Sequence, residues 1–360
     1  MKIRDRYIAK TLLTYTLVVL LVWLSIYSFF NFLAELNSVG VENYTVLAAF
    51  KYVVLQIPEV AYSQASAVIL LGCVLGLGHL AASNQLLIFQ VSGFSVLKIT
   101  KLAIKNAILF IIILIAIGES LAPLSTKFAK SERSIALGGT SFSNSQNSFW
   151  IRDGDNFINV EQNIDGKSFN DVTIIEVSSL NTIDRVIRAE SASFDGRSLD
   201  MQNSLIYSVD SSNFFETLSV KERDSYRKTV SFDQDLIESI ESEPKDLTTW
   251  TIFKQIQFLS DNKLRSGVFE VELYKRLVKP VSLIAMILVA MLFIFGSTRD
   301  ATLGRKIFFG VALGLSFEML SRIGGAIALS NDFSAFLSSI LPPALVIIIS
   351  MTLLIKRSIS

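Results

Sequence analysis

Few residues in this chain of 360 have the type and spacing that catalysis requires. The sequence contains one histidine, His79, and one cysteine, Cys73, so neither a two-histidine zinc site nor an intrachain disulfide can form. The run Gly166 to Ser168 (Gly-Lys-Ser) lacks the upstream glycine of a phosphate-binding loop and is typical of a turn. We expect His79 to be packed or interfacial and Cys73 to be a small packed residue, a functional role being the alternative for each. The sequence therefore predicts no catalytic residue, no metal site and no cofactor.

Three charged residues lie within or at the edge of apolar stretches, where ionisable groups are costly and often functional. Glu318 and Arg322 are four residues apart, so they share one face of a helix and can pair with each other. Two roles stay open for this intramembrane pair: mutual neutralisation, or lining a cavity or a partner interface. Glu119 precedes Pro123 at the end of another apolar stretch, where we expect a structural role.

The composition around these residues is that of a membrane protein. Hydrophobic residues make up 51% of the chain and charged residues 18%, which is too apolar for an ordinary soluble domain. A membrane span needs about 20 predominantly apolar residues, and the sequence contains six such runs. The first run is too long for a signal-peptide core and should remain as a helix. The runs are Ile8 to Leu33, Val53 to Leu80, Ile99 to Leu121, Leu277 to Phe295, Ile307 to Leu329 and Phe336 to Ile355.

Basic residues near the ends of the spans predict the orientation, because short cytoplasmic loops carry the excess of Lys and Arg. These basic residues lie before span one (Lys2, Arg4, Arg6 and Lys10) and in the loop between spans two and three (Lys98 and Lys101). Others lie in the loop between spans four and five (Arg299, Arg305 and Lys306) and at the C-terminus (Lys356 and Arg357). The stretches Ala34 to Phe50 and Ser330 to Ala335 contain no Lys or Arg. We predict a multi-pass protein of the cell inner membrane with both termini in the cytoplasm and the long polar insert in the periplasm.

The polar insert has the alternating hydrophobicity of β-strands, as in Val172 to Val177 and Leu205 to Val209. Asp-Gly pairs at Asp153, Asp165 and Asp195 indicate tight turns. We predict an all-β sandwich or jelly roll, followed by a helix over Leu247 to Leu259. The fold class is thus a six-helix membrane protein, three plus three, with an inserted β domain. The predicted domains are residues 1–130, 131–245 and 246–360.

Several short motifs, taken in order, resemble the LptF/LptG family of lipopolysaccharide-export permeases, and its G-type more than its F-type members. The motifs are Asp5-Arg6-Tyr7-Ile8, Leu75-Gly76-Leu77-Gly78, Gln90-Val91-Ser92-Gly93-Phe94, Gly118-Glu119 with Ala122-Pro123, and Asp153-Gly154-Asp155-Asn156-Phe157. Each motif alone is unspecific, but their joint order is specific. The similarity covers essentially the whole chain.

The resemblance implies a subunit of an ABC transporter that extracts lipopolysaccharide from the outer leaflet of the inner membrane. The implied partners are a paralogous F-type permease in a heterodimer, a homodimeric cytoplasmic ATPase, a single-span bitopic protein and a periplasmic bridge. ATP hydrolysis would then belong to the separate ATPase, and this chain would not be an enzyme.

The resemblance also suggests residues that contact the lipid. Lys130, Arg133 and Arg276 match positions where the family carries basic, substrate-contacting residues, so we expect them to hold lipid phosphates. Interfacial anchoring of the helix ends is the alternative. The chain departs from the family after span one, where G-type members place lysines and this sequence has Asn31, Asn37 and Ser38.

The connection between spans two and three, Ser83 to Ser95, is too apolar for a free loop. A short helix there would have Leu86, Phe89 and Gln90 along one exposed side. In the resembling family this segment docks on the ATPase, and Gln85 stands where well-known members have a glutamate. We therefore predict that Gln85, Leu86, Phe89 and Gln90 couple the chain to the ATPase, with anchoring in the lipid headgroups as the alternative.

Two other functions remain as alternatives. A mechanotransmission-type ABC membrane subunit would act on periplasmic partners without transporting lipid. A membrane-anchored sensor or enzyme would need a signalling domain or a catalytic constellation, and the sequence indicates neither.

Overall fold

The computed structural model describes residues 3–138, 148–164, 166–178, 182–210, 217–295, 303–330 and 333–359. The chain forms two compact units. The membrane unit consists of Met1–Asn37, Val53–Thr126 and Glu270–Ser360, and the sheet unit consists of Ser38–Tyr52 and Lys127–Phe269. The two ends of the sequence, which carry the first and the second three spans, therefore contribute to one unit.

The helices of the first half begin soon after the N-terminus and are broken by short irregular segments. They are α1 (Ile3–Glu35), a 3-10 turn (Leu36–Ser38), α2 (Val46–Ser63), α3 (Ala65–Ala82), α4 (Gln85–Val91), α5 (Val96–Ala116), a π-turn (Ile117–Leu121) and α6 (Ala122–Ala136). The Ser95 side chain caps α5 by accepting a hydrogen bond from the backbone N–H of Lys98.

The second half contains α7 (Gln234–Glu241), a 3-10 turn (Pro244–Asp246), α8 (Thr249–Asp261), α9 (Gly267–Phe295), α10 (Leu303–Ser330) and α11 (Ala335–Ile359). In the part of the chain that the structure describes, six helices are long and apolar enough to cross a membrane. These candidate spans are Arg6–Ser38, Ala65–Ala82, Val96–Ala136, Gly267–Phe295, Phe308–Ser330 and Ala335–Lys356. The predicted arrangement of three plus three spans is confirmed.

Helix α3 is the most buried of the six spans, because small residues let its neighbours approach closely. A Cβ atom added at Gly72 would lie 2.5 Å from the backbone Cα of Thr16 on α1. One turn later, a Cβ atom at Gly76 would lie 3.3 Å from a methyl carbon of Leu12. Gly314 of α10 makes a similar close approach to α3. In lipid, where apolar surfaces gain little by leaving the solvent, such packing is a main source of helix association.

The predicted all-β insert is confirmed as a six-stranded antiparallel sheet. Its strands are β1 (Phe149–Asp153), β2 (Asn156–Asn163), β3 (Ser168–Val177), β4 (Ile183–Phe194), β5 (Ser198–Asp210) and β6 (Thr217–Thr229). The strands are neighbours in sequence order, so the described part of the insert is one meander. This order differs from the two facing sheets of a sandwich.

The predicted Asp-Gly turns connect strands of this sheet. Gly154 and Gly196 adopt φ angles of +62° and +97°, which residues with a Cβ rarely adopt. The Asp195 carboxylate accepts hydrogen bonds from the backbone N–H groups of Arg197 and Ser198, and these donors lower the pKa of Asp195. Asp165, of the third pair, lies outside the described residues.

One face of the sheet forms its own hydrophobic core, and the alternation along the strands shifts at a bend. One residue in each of five strands has no Cα partner across the sheet, although the pairing register is the same on both sides of it: Glu161, Asp171, Glu190, Asn203 and Asp224. Asp171 and Asn203 have positive φ angles, and the inward and outward alternation changes at these points. Phe169 and Val172, which lie on either side of Asp171, are therefore both buried in this core.

Two helices follow the sheet. The predicted helix after Pro244 is present as α8, and the Thr248 side chain caps it by accepting from the backbone N–H of Thr251. The short helix α7 was not predicted. Its buried residues Leu236 and Ile237 extend the core of the sheet.

Candidate functional site

Two of the three basic residues expected to hold lipid phosphates lie on α6, in the sheet unit. The Lys130 ammonium is 2.5 Å from a carboxylate oxygen of Asp246, whose side chain is 8% exposed. The other oxygen of Asp246 is buried and has no hydrogen-bond partner among the described residues. Glu243 is a second acid close by, and a hydrogen bond from Lys245, helped by the charge of Lys130, lowers the pKa of this carboxyl group. Lys130 thus already has an anionic environment.

Arg133 is held by aromatic rings. Its guanidinium lies 5.3 Å from the ring centroid of Tyr52 and 5.9 Å from that of Tyr44. A guanidinium that lies over an aromatic face can point its N–H donors outward past the edge of the ring. Donors in that position can bind a planar or tetrahedral anion. Lys130 and Arg133 are three residues apart, so they are neighbours on the surface of α6.

The third basic residue, Arg276, is on α9 in the membrane unit and is buried. Its guanidinium is 3.1 Å from Glu272 and 3.6 Å from Glu119, and only 5% of its side chain is exposed. The pair with Glu272 could have been found from sequence, because the two residues are four apart on a helix. Glu119 is 157 positions away, and no sequence pattern links it to Arg276. A lipid phosphate would have to displace one of these carboxylates to reach Arg276.

The predicted helix between spans two and three exists as α4, which begins at Gln85 after Asn84 in a left-handed conformation. The prediction that Leu86 and Phe89 lie on the exposed side of this helix is wrong. Leu86 is 4% exposed and Phe89 packs against the hydrophobic core of the membrane unit, with its ring edge-on to Phe94. The physical reason is that these apolar side chains lie next to the membrane helices of the same chain, so they are buried against those helices and not against a partner.

The opposite face of α4 is exposed and also apolar. It carries Leu87, Ile88 and Val91, with 43%, 62% and 82% of their surfaces exposed. Gln85 and Gln90 lie at the border between the two faces and are half-buried. The Gln85 side-chain oxygen is buried without a hydrogen-bond partner among the described residues.

The remaining residues noted in the sequence have simple environments. Glu318 and Arg322 form the expected pair on α10, with 3.4 Å between the guanidinium and the carboxylate. The Arg322 side chain is exposed in the isolated chain. His79 lies with its ring 5.4 Å from that of Tyr15, and Cys73 is buried and free.

This fold, with six apolar helices, an inserted antiparallel sheet and charged groups held in pairs, defines a polytopic membrane protein with an extramembrane domain. The chain belongs to the LptF/LptG family, because the family model described as lipopolysaccharide export system permease LptF/LptG matches residues 6–356. It is similar to the lipopolysaccharide export system permease protein LptG of Escherichia coli (strain K12), with 27% identity over 98% of both chains. The protein of the same name from Haemophilus influenzae (strain Rd) is also 27% identical over 98% of both chains.

Proposed function

We propose that this chain is a permease subunit of an ABC transporter that extracts lipopolysaccharide from the outer leaflet of the inner membrane. It passes the lipid to a periplasmic bridge leading to the outer membrane. The observation that carries the proposal is the family match over residues 6–356, which includes both groups of spans and the sheet. The printed names of relatives that align over 98% of their length support the same substrate.

The chain works as one part of a larger complex. Its proposed partners are a paralogous F-type permease, a cytoplasmic ATPase dimer that hydrolyses ATP, a single-span bitopic protein and the periplasmic bridge protein. Helix α4 is the proposed contact with the ATPase, through the exposed Leu87, Ile88 and Val91 and the half-buried Gln85 and Gln90. Leu86 and Phe89, which the sequence also suggested for this contact, pack inside the membrane unit instead. The relatives are named permeases, which favours transport over mechanotransmission without lipid passage.

Purification of the tagged chain in mild detergent tests this function. We expect lipopolysaccharide, a second permease chain and an ATPase to copurify, as identified by mass spectrometry. Recovery of the ATPase with periplasmic partners, and no lipopolysaccharide in the complex or in crosslinks to the spans, would favour mechanotransmission instead.

The proposed orientation predicts which residues react from the periplasm. In a Cys73→Ala background, which removes the buried thiol, we expect single cysteines at Val41 and Ile183 to react with a membrane-impermeant maleimide once the outer membrane is opened. A cysteine at Lys98 should react only after the inner membrane is broken. All three positions are exposed in the chain and lie outside the proposed ATPase contact, so a lack of reaction reports the membrane and not burial. The reverse pattern would overturn the orientation and the export proposal with it.

Contact between lipid phosphates and the basic residues is proposed for Lys130 and Arg133 on α6 and, separately, for Arg276 on α9. With a photo-crosslinking residue at the exposed Lys127 position, we expect Lys130→Glu to reduce capture of lipopolysaccharide more than Lys130→Ala does. Charge reversal adds repulsion to the lost attraction. The measurement is the yield of crosslinked lipid in intact cells.

The partner of Lys130 supplies the control. Asp246→Asn keeps the shape of the side chain but removes the competing carboxylate, so capture should stay equal or rise. If Asp246→Asn lowers capture as much as Lys130→Ala does, the ion pair only anchors the helix, and the phosphate contact at Lys130 is wrong.

A further inference from the structure

Two helical segments among the described residues are interrupted, and residues of α9 contact both points of interruption. The first is Gln64, where the helical chain breaks between the end of α2 at Ser63 and the start of α3. The Lys279 ammonium on α9 donates a hydrogen bond of 3.0 Å to the backbone carbonyl of Ser63. In a membrane, a carbonyl at a helix break needs such a donor because water and other partners are scarce.

The second irregular point is the π-turn, Ile117–Leu121, between α5 and α6. Within it, Gly118 packs so tightly on the Tyr62 ring that an added Cβ atom would overlap the ring. The same ring lies 5.4 Å from the Lys279 ammonium, at cation-π distance. One lysine and one tyrosine therefore join the helix break to the π-turn.

A second cation of α9 completes the connection. Arg276, three residues before Lys279, pairs with Glu119 of the π-turn as well as with Glu272 of its own helix. The spacing of three places both cations on the same side of α9. Lys279 is buried, and the carboxylates of Glu318, Glu272 and Glu59 act on its charge from α10, α9 and α2, while Lys275 acts against it.

The three helices joined here have one property in common. Helices α2, α6 and α9 are the helices whose residues pass from one unit into the other, at Tyr52 to Val53, Thr126 to Lys127 and Phe269 to Glu270. A π-turn is an uncommon and energetically unfavourable insertion in a helix, and such turns occur frequently at functional sites. Buried ionisable groups in a span are likewise retained for a role.

We propose that Lys279 and the Arg276–Glu119 pair are positioning residues that clamp the helix break to the π-turn, so that the three connecting helices move as one group. This inference rests on the proposed export function, in which motion of the spans must reach the sheet unit. In this role Arg276 binds the carboxylates of Glu119 and Glu272, so the contact with a lipid phosphate proposed for Arg276 would open the clamp. The clamp fixes the angle between α2 and α3 at the helix break, and the angle between α5 and α6 at the π-turn.

Spin labels on either side of each irregular point test the clamp in the purified complex, reconstituted in lipid. Exposed pairs are Val54 with Ala82, across the break, and Leu109 with Leu124, across the π-turn. At 1.5 Å per residue of straight helix the backbone positions of the pairs are at most about 42 Å and about 22 Å apart, within the range of pulsed electron paramagnetic resonance. The labels are attached to cysteines in a Cys73→Ala background.

We expect one narrow distance distribution for each pair in the parent protein. Lys279→Met should remove the narrow distribution across the break, and Glu119→Gln should remove the one across the π-turn, with loss of lipopolysaccharide export in both. Lys279→Arg keeps the positive charge and Glu119→Asp keeps the carboxylate, so both variants should keep the narrow distributions. Lys101→Met is the control, because it removes an exposed lysine of α5 that takes no part in the clamp.

Unchanged distance distributions in Lys279→Met and Glu119→Gln overturn the clamp. Broadened distributions with full export also overturn it, because positioning would then be unnecessary for transport. If the parent complex carries no lipopolysaccharide but the distances respond as described, the clamp stands and the proposed export function fails.

Discussion

Replacement of Gly72 by alanine is expected to lower the stability of the membrane unit by about 3 kcal/mol, the upper end of the usual cost of overpacking. The added Cβ atom would lie 2.5 Å from the backbone Cα of Thr16, and a backbone atom cannot move aside as a side-chain end can. Helices α1 and α3 would have to separate along their whole contact. The expected observation is a lower thermal unfolding midpoint in detergent and less protein in the membrane.

Gly76→Ala is the matched control for this prediction, one turn further along the same helix. Its Cβ atom would lie 3.3 Å from the end of the flexible Leu12 side chain, which can shift. Alanine also favours a helix over glycine by about 0.5–1 kcal/mol. Gly76→Ala should therefore be neutral or slightly stabilising. Equal loss of stability in both variants would show that the closer approach at Gly72 does not decide the stability of the α1–α3 contact.

The membrane fold could be predicted from sequence because the signal is local. Each span is a long apolar run with few charges, and the length needed to cross a bilayer is fixed. The end of a span is less certain, since α5, the π-turn and α6 form a continuous helical segment that extends to Ala136, well beyond the predicted end at Leu121. The sequence of α6 is too polar to be predicted as part of a membrane span, although α6 continues the helix of span three.

The all-β insert could also be predicted, since alternating strands and Asp-Gly turns are local patterns. Helix α7 was missed because it has only eight residues. Its stability comes from the Asp233 cap and from burial of Leu236 and Ile237 against the sheet, which are tertiary effects.

Contacts of charged residues could be predicted from the sequence only where both partners lie on one helix. The pair Glu318 and Arg322 was found because both members lie on one helix. The contacts of Arg276 with Glu119 and of Lys279 with Ser63 join residues more than 150 positions apart. No spacing rule predicts them, because they depend on how α9 packs beside two irregular helices.

Helix α4 shows a related limit. Five of its seven residues are apolar and they lie on both sides of the helix, so both sides look suitable for a partner. The sequence could not tell which side the neighbouring membrane helices would cover. The structure places Leu86 and Phe89 on the covered side, so the exposed side becomes the surface to test for ATPase contact.

The last prediction is that Ile88→Asp releases the ATPase from the complex. Ile88 is 62% exposed on α4 and lies beside Leu87 and Val91, so it can be the centre of an apolar contact. Loss of a central contact residue, with a charge buried in its place, should cost at least about 2 kcal/mol of binding, which is a ~30-fold weaker association. The amount of ATPase that copurifies with the tagged chain measures this loss, and lipopolysaccharide export should fall with it.

Two variants on the same helix separate docking from folding. Ile88→Leu keeps the apolar volume and should retain the ATPase. Phe89→Asp places a charge where the ring packs on Phe94 and the membrane core, so it should lower the thermal stability of the chain as well as ATPase recovery. Ile88→Asp should leave the thermal unfolding midpoint unchanged, because that side chain makes its proposed contact only with the partner. If Ile88→Asp retains both the ATPase and export, α4 is a headgroup anchor and the coupling assignment is wrong.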